Sequence, residues 1–185
     1  MTSDAVEFPG YIAGTWEIDP VHSYVGFIAR HLMVSKVRGR FNKVEGQIIT
    51  AENPLASSAT ATIDMTSVDT GNAQRDSDIK GPMLFDADNY PTMTYRSTGI
   101  RRKGDGFVAD GELTIRGITR PVELEVEVGG FGPDPFGGTR AGFSATGEID
   151  RTEFGMNPDL KLPTGGVMIG EKIQLTIEAE ATLKT

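Results

Sequence analysis

The stretch HSYVGFIARH, His22 to His31, carries both histidines of the chain and therefore every imidazole available for metal ligation or general-base chemistry. Nine residues of extended chain span about 30 Å, so one ion reaches both rings only if the segment folds back sharply. Ser23 follows His22, but adjacent residues of a strand point to opposite faces, so hydroxyl and imidazole diverge and no nucleophile–base pair is expected there. His31 is different, because it ends the alternating row Val25, Phe27, Ala29, His31 on the dry side of the strand. There it is either a core histidine bonded to a neighbouring backbone or acidic group, or a polar contact for an otherwise apolar ligand.

Other routes to chemistry are sparse. The chain has no cysteine, which removes disulfides, thiolate metal sites and cysteine nucleophiles together. It has no G-x-x-x-x-G-K-[ST], G-x-G-x-x-G or H-E-x-x-H, and the prolines and phenylalanines of FGPDPFGG break any EF-hand spacing. No metal and no cofactor are expected. Arg75 and Asp76, in NAQRDSDIK, form either a surface pair of little energetic weight or a polar guard at one end of the fold. The net charge of −8 repels a phosphate backbone on average, so nucleic acid is not an expected partner. No segment approaches the roughly 20 consecutive apolar residues of a membrane span. The opening MTSDAVEFPGYIAG has an acid and a proline where a signal peptide carries basic and apolar residues, so a cytoplasmic location is expected.

Residues so few must be positioned by strands, because alternation is what recurs along the chain. GEKIQLTIEAEATLKT places Ile173, Leu175, Ile177, Ala179, Ala181 and Leu183 on one side and charged or polar residues on the other. RPVELEVEVGG does the same with Val122, Leu124, Val126 and Val128, and GFVADGELTIRG with Phe107, Ala109, Leu113 and Ile115. The turn RGITRP joins two such runs into an antiparallel hairpin. Gly71 to Gly81 reads as the one helix, with a further helical turn at RTEFGMN. One domain of about eight one-sided strands fits an antiparallel β-barrel, which leaves no exposed edge; a two-sheet sandwich is the alternative. Residues 1–13 read as a peripheral extension.

The inward residues are unusually small: Ala59, Ala61, Ala109, Gly111, Ala145, Gly147, Ala179 and Ala181. Interiors do not leave space empty without cost, and an eight-stranded barrel is just wide enough to be filled by side chains or to hold one small ligand. Small inward residues favour the ligand. Phe85, Tyr90, Met93 and Tyr95 are expected to close a barrel end, and Trp16 of Gly14-Thr15-Trp16 to close its base.

Taken in order, WEIDPVHSYVGFIARHL, VRGRF, SATATIDMTSVDT, RDSDIKGPMLFD, NYPTMTYRS, GELTIRGITRPVEL and GEIDRTEFG resemble the YceI-like family of polyisoprenoid-binding, bacterial lipocalin-like proteins, from about Trp16 to Ala181. The resemblance implies an antiparallel barrel around an elongated apolar tunnel that takes an isoprenoid or another long-chain amphiphile. His22, His31, Arg75 and Asp76 stand at the family's motif positions, but Asp78 occupies a place where relatives often carry histidine. The expected function is therefore non-enzymatic carriage of a long-chain isoprenoid or lipid-like ligand. Its expected lining is Val25, Phe27, Ile63, Met93, Tyr95, Leu113, Ile115, Phe143, Leu175 and Ile177, with His31 as the polar contact. A hydrolase or isomerase using His31 as general base, and a packed interaction module without ligand, are the alternatives. A homodimer would be unsurprising for an open barrel.

Overall fold

The computed structural model describes residues 8–157 and 169–185. Its eleven strands form one antiparallel sheet that closes on itself. Three of the staves are bent strands, each written as two segments. β1 (Gly14–Ile18) and β2 (Tyr24–His31) run in one direction beside β4 (Val44–Thr50) and β3 (Ser35–Phe41) running in the other. β5 (Ser58–Asp64) and β6 (Val68–Asp69) make the next stave, pairing with β4 and β3. β7 (Thr92–Lys103), β8 (Gly106–Ile115), β9 (Ile118–Pro133), β10 (Thr139–Asp150) and β11 (Lys172–Leu183) follow as a meander. β11 then pairs with both β1 and β2, which completes an eight-stave barrel. The expected barrel is thus the architecture, and the sandwich is excluded by this closure.

The bends have local causes. Pro20 has no N–H for the ladder between β1 and β2, and Asp19 Oδ1 there accepts from the Val21 N–H at 2.9 Å. Between β5 and β6, Asp64 Oδ1 caps a single 3₁₀ turn by accepting from the Thr66 N–H at 2.8 Å.

One barrel end is stopped by the segment after β6. The helix α1 (Ala73–Lys80) starts at Asn72, whose side chain accepts from the Arg75 N–H at 2.9 Å. Below it Phe41, Met65, Val68, Ala87, Ile115, Ile149, Phe154 and Met156 form one buried cluster, with Leu84 and Phe85 packed against it. Arg116, at a left-handed φ of 54° in the β8–β9 turn, reaches over this stopper and donates to the carbonyls of Pro82 and Leu84 at 2.9 and 2.6 Å. Arg151, only 5% exposed, donates to the carbonyls of Gly170, Met156 and Ile169 at 3.0, 2.6 and 2.8 Å. A buried guanidinium needs partners for its donors, and among the described residues three carbonyls, rather than a carboxylate, accept from it.

A second buried cluster lies toward the other end, where Trp16 packs on Ala141, Ala181, Phe131 and Leu183. The indole N–H donates to Thr50 Oγ1 at 2.8 Å, and that hydroxyl donates to the Ile12 carbonyl at 2.7 Å. Gly14, two residues before the tryptophan, leaves room for the Leu183 side chain, whose Cδ1 would lie 2.8 Å from a Cβ there and would have to shift.

Candidate functional site

The inward faces of the strands enclose a cavity of about 240 Å³. β8 lines it from Phe107 to Leu113 and β9 from Val122 to Val128. Six residues of strand rise about 20 Å, so the cavity is a narrow tunnel rather than a compact pocket. It ends against the stopper at Phe41, Ile63, Met93 and Leu113, and at the opposite barrel end it is bordered by Phe8, Tyr11, Pro54 and Ser57. Phe8 and Tyr11 belong to the expected N-terminal extension. Tyr11 is fixed by a hydrogen bond from its hydroxyl to the Ala51 carbonyl, and its ring stands edge-on to Phe131 at 5.3 Å.

The small inward residues divide into two groups with different effects. Ala59, Ala61, Ala109, Ala145 and Ala179 line the tunnel and leave its volume open. The other three are covered by larger neighbours. A Cβ on Gly111 would lie 2.4 Å from the Tyr95 hydroxyl, one on Gly147 would lie 2.7 Å from Leu124 Cδ2, and Ala181 sits under Trp16.

Eight of the expected lining residues border the tunnel: Val25, Ile63, Met93, Tyr95, Leu113, Phe143, Leu175 and Ile177. Phe27, Ile115 and His31 do not. Phe27 faces inward but lies flat over Gly39, where a Cβ would strike its ring at 2.3 Å, and packs against Phe41 within the stopper. Ile115 pairs with Ile118 at the β8–β9 turn and is buried in the same cluster. His31 pairs with Ser35 at the end of β2 and bridges to Ile169, beyond the tunnel floor. His31 therefore lies outside the lining of this cavity: alternation gave its face, but not its depth. Residues that sequence reasoning left out, Phe107, Val122, Leu124, Val126 and Val128, line the tunnel through the alternation already read in their strands.

Among the polar residues bordering the tunnel Tyr95 stands apart, its hydroxyl end packed over Gly111. Its hydroxyl is buried and has no hydrogen-bond partner among the described residues. Burial, and next the Asp110 carboxylate, push the phenol up to about 12, so at neutral pH it is an uncharged donor. Ser144 and Glu178 also border the cavity, but they satisfy each other through a 2.6 Å hydrogen bond.

The motif residues away from the tunnel have structural partners. Arg75 Nε and Nη2 donate to the Thr70 hydroxyl and carbonyl, both at 2.8 Å. Asp76 Oδ1 accepts from the Thr70 N–H and hydroxyl at 2.8 and 2.6 Å. The pair thus clamps the chain between β6 and α1. His22 Nδ1 lies 2.8 Å from Asp19 Oδ2 on the outside of the β1–β2 bend. Asp19, His22 and Glu180 bring ligand atoms close enough for a cation. That position is already covered by the Arg140 guanidinium, 2.8 Å from Asp19 and 3.3 Å from Glu180. Arg140, and after it His22, hold the Asp19 carboxyl well below the usual carboxylate range. The N–H of Phe136, followed by Arg140, lowers Asp134 as well.

Comparisons with known proteins agree with this geometry. The model of the YceI-like domain matches residues 16–181. Protein YceI of Escherichia coli O17:K52:H18 is 38% identical over 152 residues, covering 80% of this chain and 80% of that protein. Burkholderia cenocepacia BcnA superposes with a TM-score of 0.78 at 24% identity, covering 89% of this chain and 99% of that one. A polyisoprenoid binding domain from Saccharophagus degradans, implicated in plant cell wall breakdown, superposes with a TM-score of 0.64 at 15% identity over 94% of this chain and all of that one. At these identities the two structures speak for the fold, whereas the family model and the E. coli relative speak for descent. From Trp16 to Ala181, this chain belongs to the YceI-like family.

Proposed function

We propose that the protein binds and carries a long apolar ligand of the isoprenoid or lipid-like class, without chemical turnover. The observation that carries this reading is the tunnel, about 240 Å³ of enclosed space lined by aliphatic and aromatic side chains. Burying apolar surface there contributes about 25 cal/mol per Å² before the costs of association. The length of the tunnel favours an extended chain over a compact ring system. The polyisoprenoid-binding domain of S. degradans, which shares the fold, supports the same ligand class.

Tyr95 gives the reading its polar detail. A donor left unpaired in an apolar wall costs free energy until something accepts from it, so the preferred ligand carries a hydroxyl, carbonyl or ether oxygen that reaches the Tyr95 hydroxyl. Binding is favoured over catalysis by the chemistry of the lining. Among the described residues, the titratable groups bordering the tunnel are Tyr11, Tyr95 and Glu178. Tyr11 donates to the Ala51 carbonyl, Tyr95 keeps its proton up to about 12, and Glu178 is bonded to Ser144. None of them is placed to act as a free base beside a nucleophile.

The test is titration with an environment-sensitive farnesyl or fatty-acyl probe. Saturable binding in the micromolar range or tighter is expected. Leu113→Trp places a larger ring across the tunnel floor and removes uptake while circular dichroism stays that of a barrel. A folded Leu113→Trp protein that takes up the probe as well as the parent contradicts the tunnel assignment.

A further inference from the structure

The segment from Pro20 to Val44 contains no Asp or Glu, yet Arg30, Lys36, Arg38, Arg40 and Lys43 lie in it. In a chain of net charge −8 this is a local reversal of sign. Folding concentrates it. Lys36 pairs with Arg30, Arg38 with Ile28 and Arg40 with Gly26 across the β2–β3 ladder, so the four cations share the outward face, and all four are exposed. Arg30 directly opposite Lys36 is a like-charge pair that weakens a ladder. Among the described residues no carboxylate comes within ion-pairing distance of any of the four. The ladder sets Asp69 opposite Arg40, and Arg40 also lies over the Tyr24 ring at 5.2 Å.

The tip of the same hairpin is the second observation. Leu32 and Met33 both adopt left-handed φ values, 54° and 62°, and Val34 N–H closes the turn on the His31 carbonyl at 3.1 Å. Asn-Gly would take this turn without strain. Instead the turn holds out Met33, 52% exposed, followed by Val34, 83% exposed. Two large apolar side chains on a strained tip, backed by cations with no carboxylate in ion-pairing distance among the described residues, match the boundary of a bilayer whose headgroups are anionic. A nucleic acid would answer the cations but not the tip.

We infer that the β2–β3 hairpin docks this protein on an anionic lipid surface, with Met33 and Val34 at the acyl boundary and Arg30, Lys36, Arg38 and Arg40 among the headgroups. Contact is made by the barrel wall and the stoppered end, so the end bordered by Pro54 and Ser57 stays clear for ligand exchange.

The experiment is flotation of the full-length protein with vesicles of phosphatidylcholine alone or mixed with phosphatidylglycerol. Co-flotation with the mixed vesicles only, weakening as salt is raised, is expected. Lys36→Gln/Arg38→Gln should lower the vesicle partition roughly thirtyfold, at about one kcal/mol per cation near the surface. Met33→Ser/Val34→Ser should lower it severalfold at unchanged charge, and Arg101→Gln, on another face, should leave it unchanged. Equal flotation with both vesicle types, or no loss in the double cation variant, overturns the inference. Unchanged flotation in Met33→Ser/Val34→Ser, together with tight binding to duplex DNA, also overturns it by assigning the face to polyanions in general. Probe uptake from solution by these variants should equal that of the parent, which separates failure of docking from failure of the carrier reading.

Discussion

Replacing Tyr95 by Phe removes one oxygen and should move stability and affinity in opposite directions. An unsatisfied buried hydroxyl costs about 1–3 kcal/mol. Tyr95 as a whole is only half-buried and borders the tunnel, so the low end, about 1 kcal/mol, applies to the ligand-free protein. For a chain of this size that is a rise of about 2–4 °C in Tm for Tyr95→Phe, read by calorimetry on delipidated protein. Affinity for a chain bearing an oxygen acceptor should fall about fivefold, the equivalent of about 1 kcal/mol, while affinity for the matching hydrocarbon should not fall. Calorimetric titration of parent and variant with both chains reads the difference. The pH dependence adds a third sign. The folded state holds the phenolic proton up to about 12, whereas the unfolded chain releases it near 10. The parent therefore loses stability as pH rises from about 10 through 12, and Tyr95→Phe lacks that part of the loss. A lower Tm for the variant, or equal losses of affinity for both chains, would refute the orphan-donor argument.

Thr50→Val leaves the buried indole N–H of Trp16 without its acceptor. It should cost about 1–3 kcal/mol, seen as a lower midpoint in denaturant titrations followed by the fluorescence of the single tryptophan. Arg140→Met removes the cation that does most to hold Asp19 below its usual range and that adds to the Phe136 N–H in lowering Asp134. Carboxyls depressed in the folded state contribute stability that is present above their unfolded values, near 4, and lost as pH falls through the folded ones. The acid unfolding transition of Arg140→Met should therefore move to higher pH. His31→Asn should leave probe uptake unchanged, because the ring lies beyond the tunnel floor; a severalfold loss of affinity would return His31 to the site.

What was legible from sequence was periodic. From Val122 to Val128 in β9, and along β11, every second residue is apolar, and Val122 to Val128, Leu175 and Ile177 face the tunnel as that spacing implies. Depth was not legible. Phe27, Ile115 and His31 share a face with the lining residues but extend past the point where the stopper closes the barrel. That stopper is built from irregular chain around α1, whose side chains follow no short period. Partnerships across long separations were equally hidden, such as Arg140 with Asp19 and Trp16 with Thr50. Tyr95 was readable as an inward aromatic, yet its missing partner emerges only when every neighbouring strand is in place.

Native mass spectrometry of freshly purified protein, followed by organic extraction of whatever it carries, asks directly whether the tunnel holds a ligand. The expected result is a population heavier than the apo chain by one defined mass, recovered in the organic phase as a long apolar chain with an oxygen function. A clean apo mass, with no uptake of added prenyl or acyl chains, would contradict it and leave a barrel whose tunnel holds nothing.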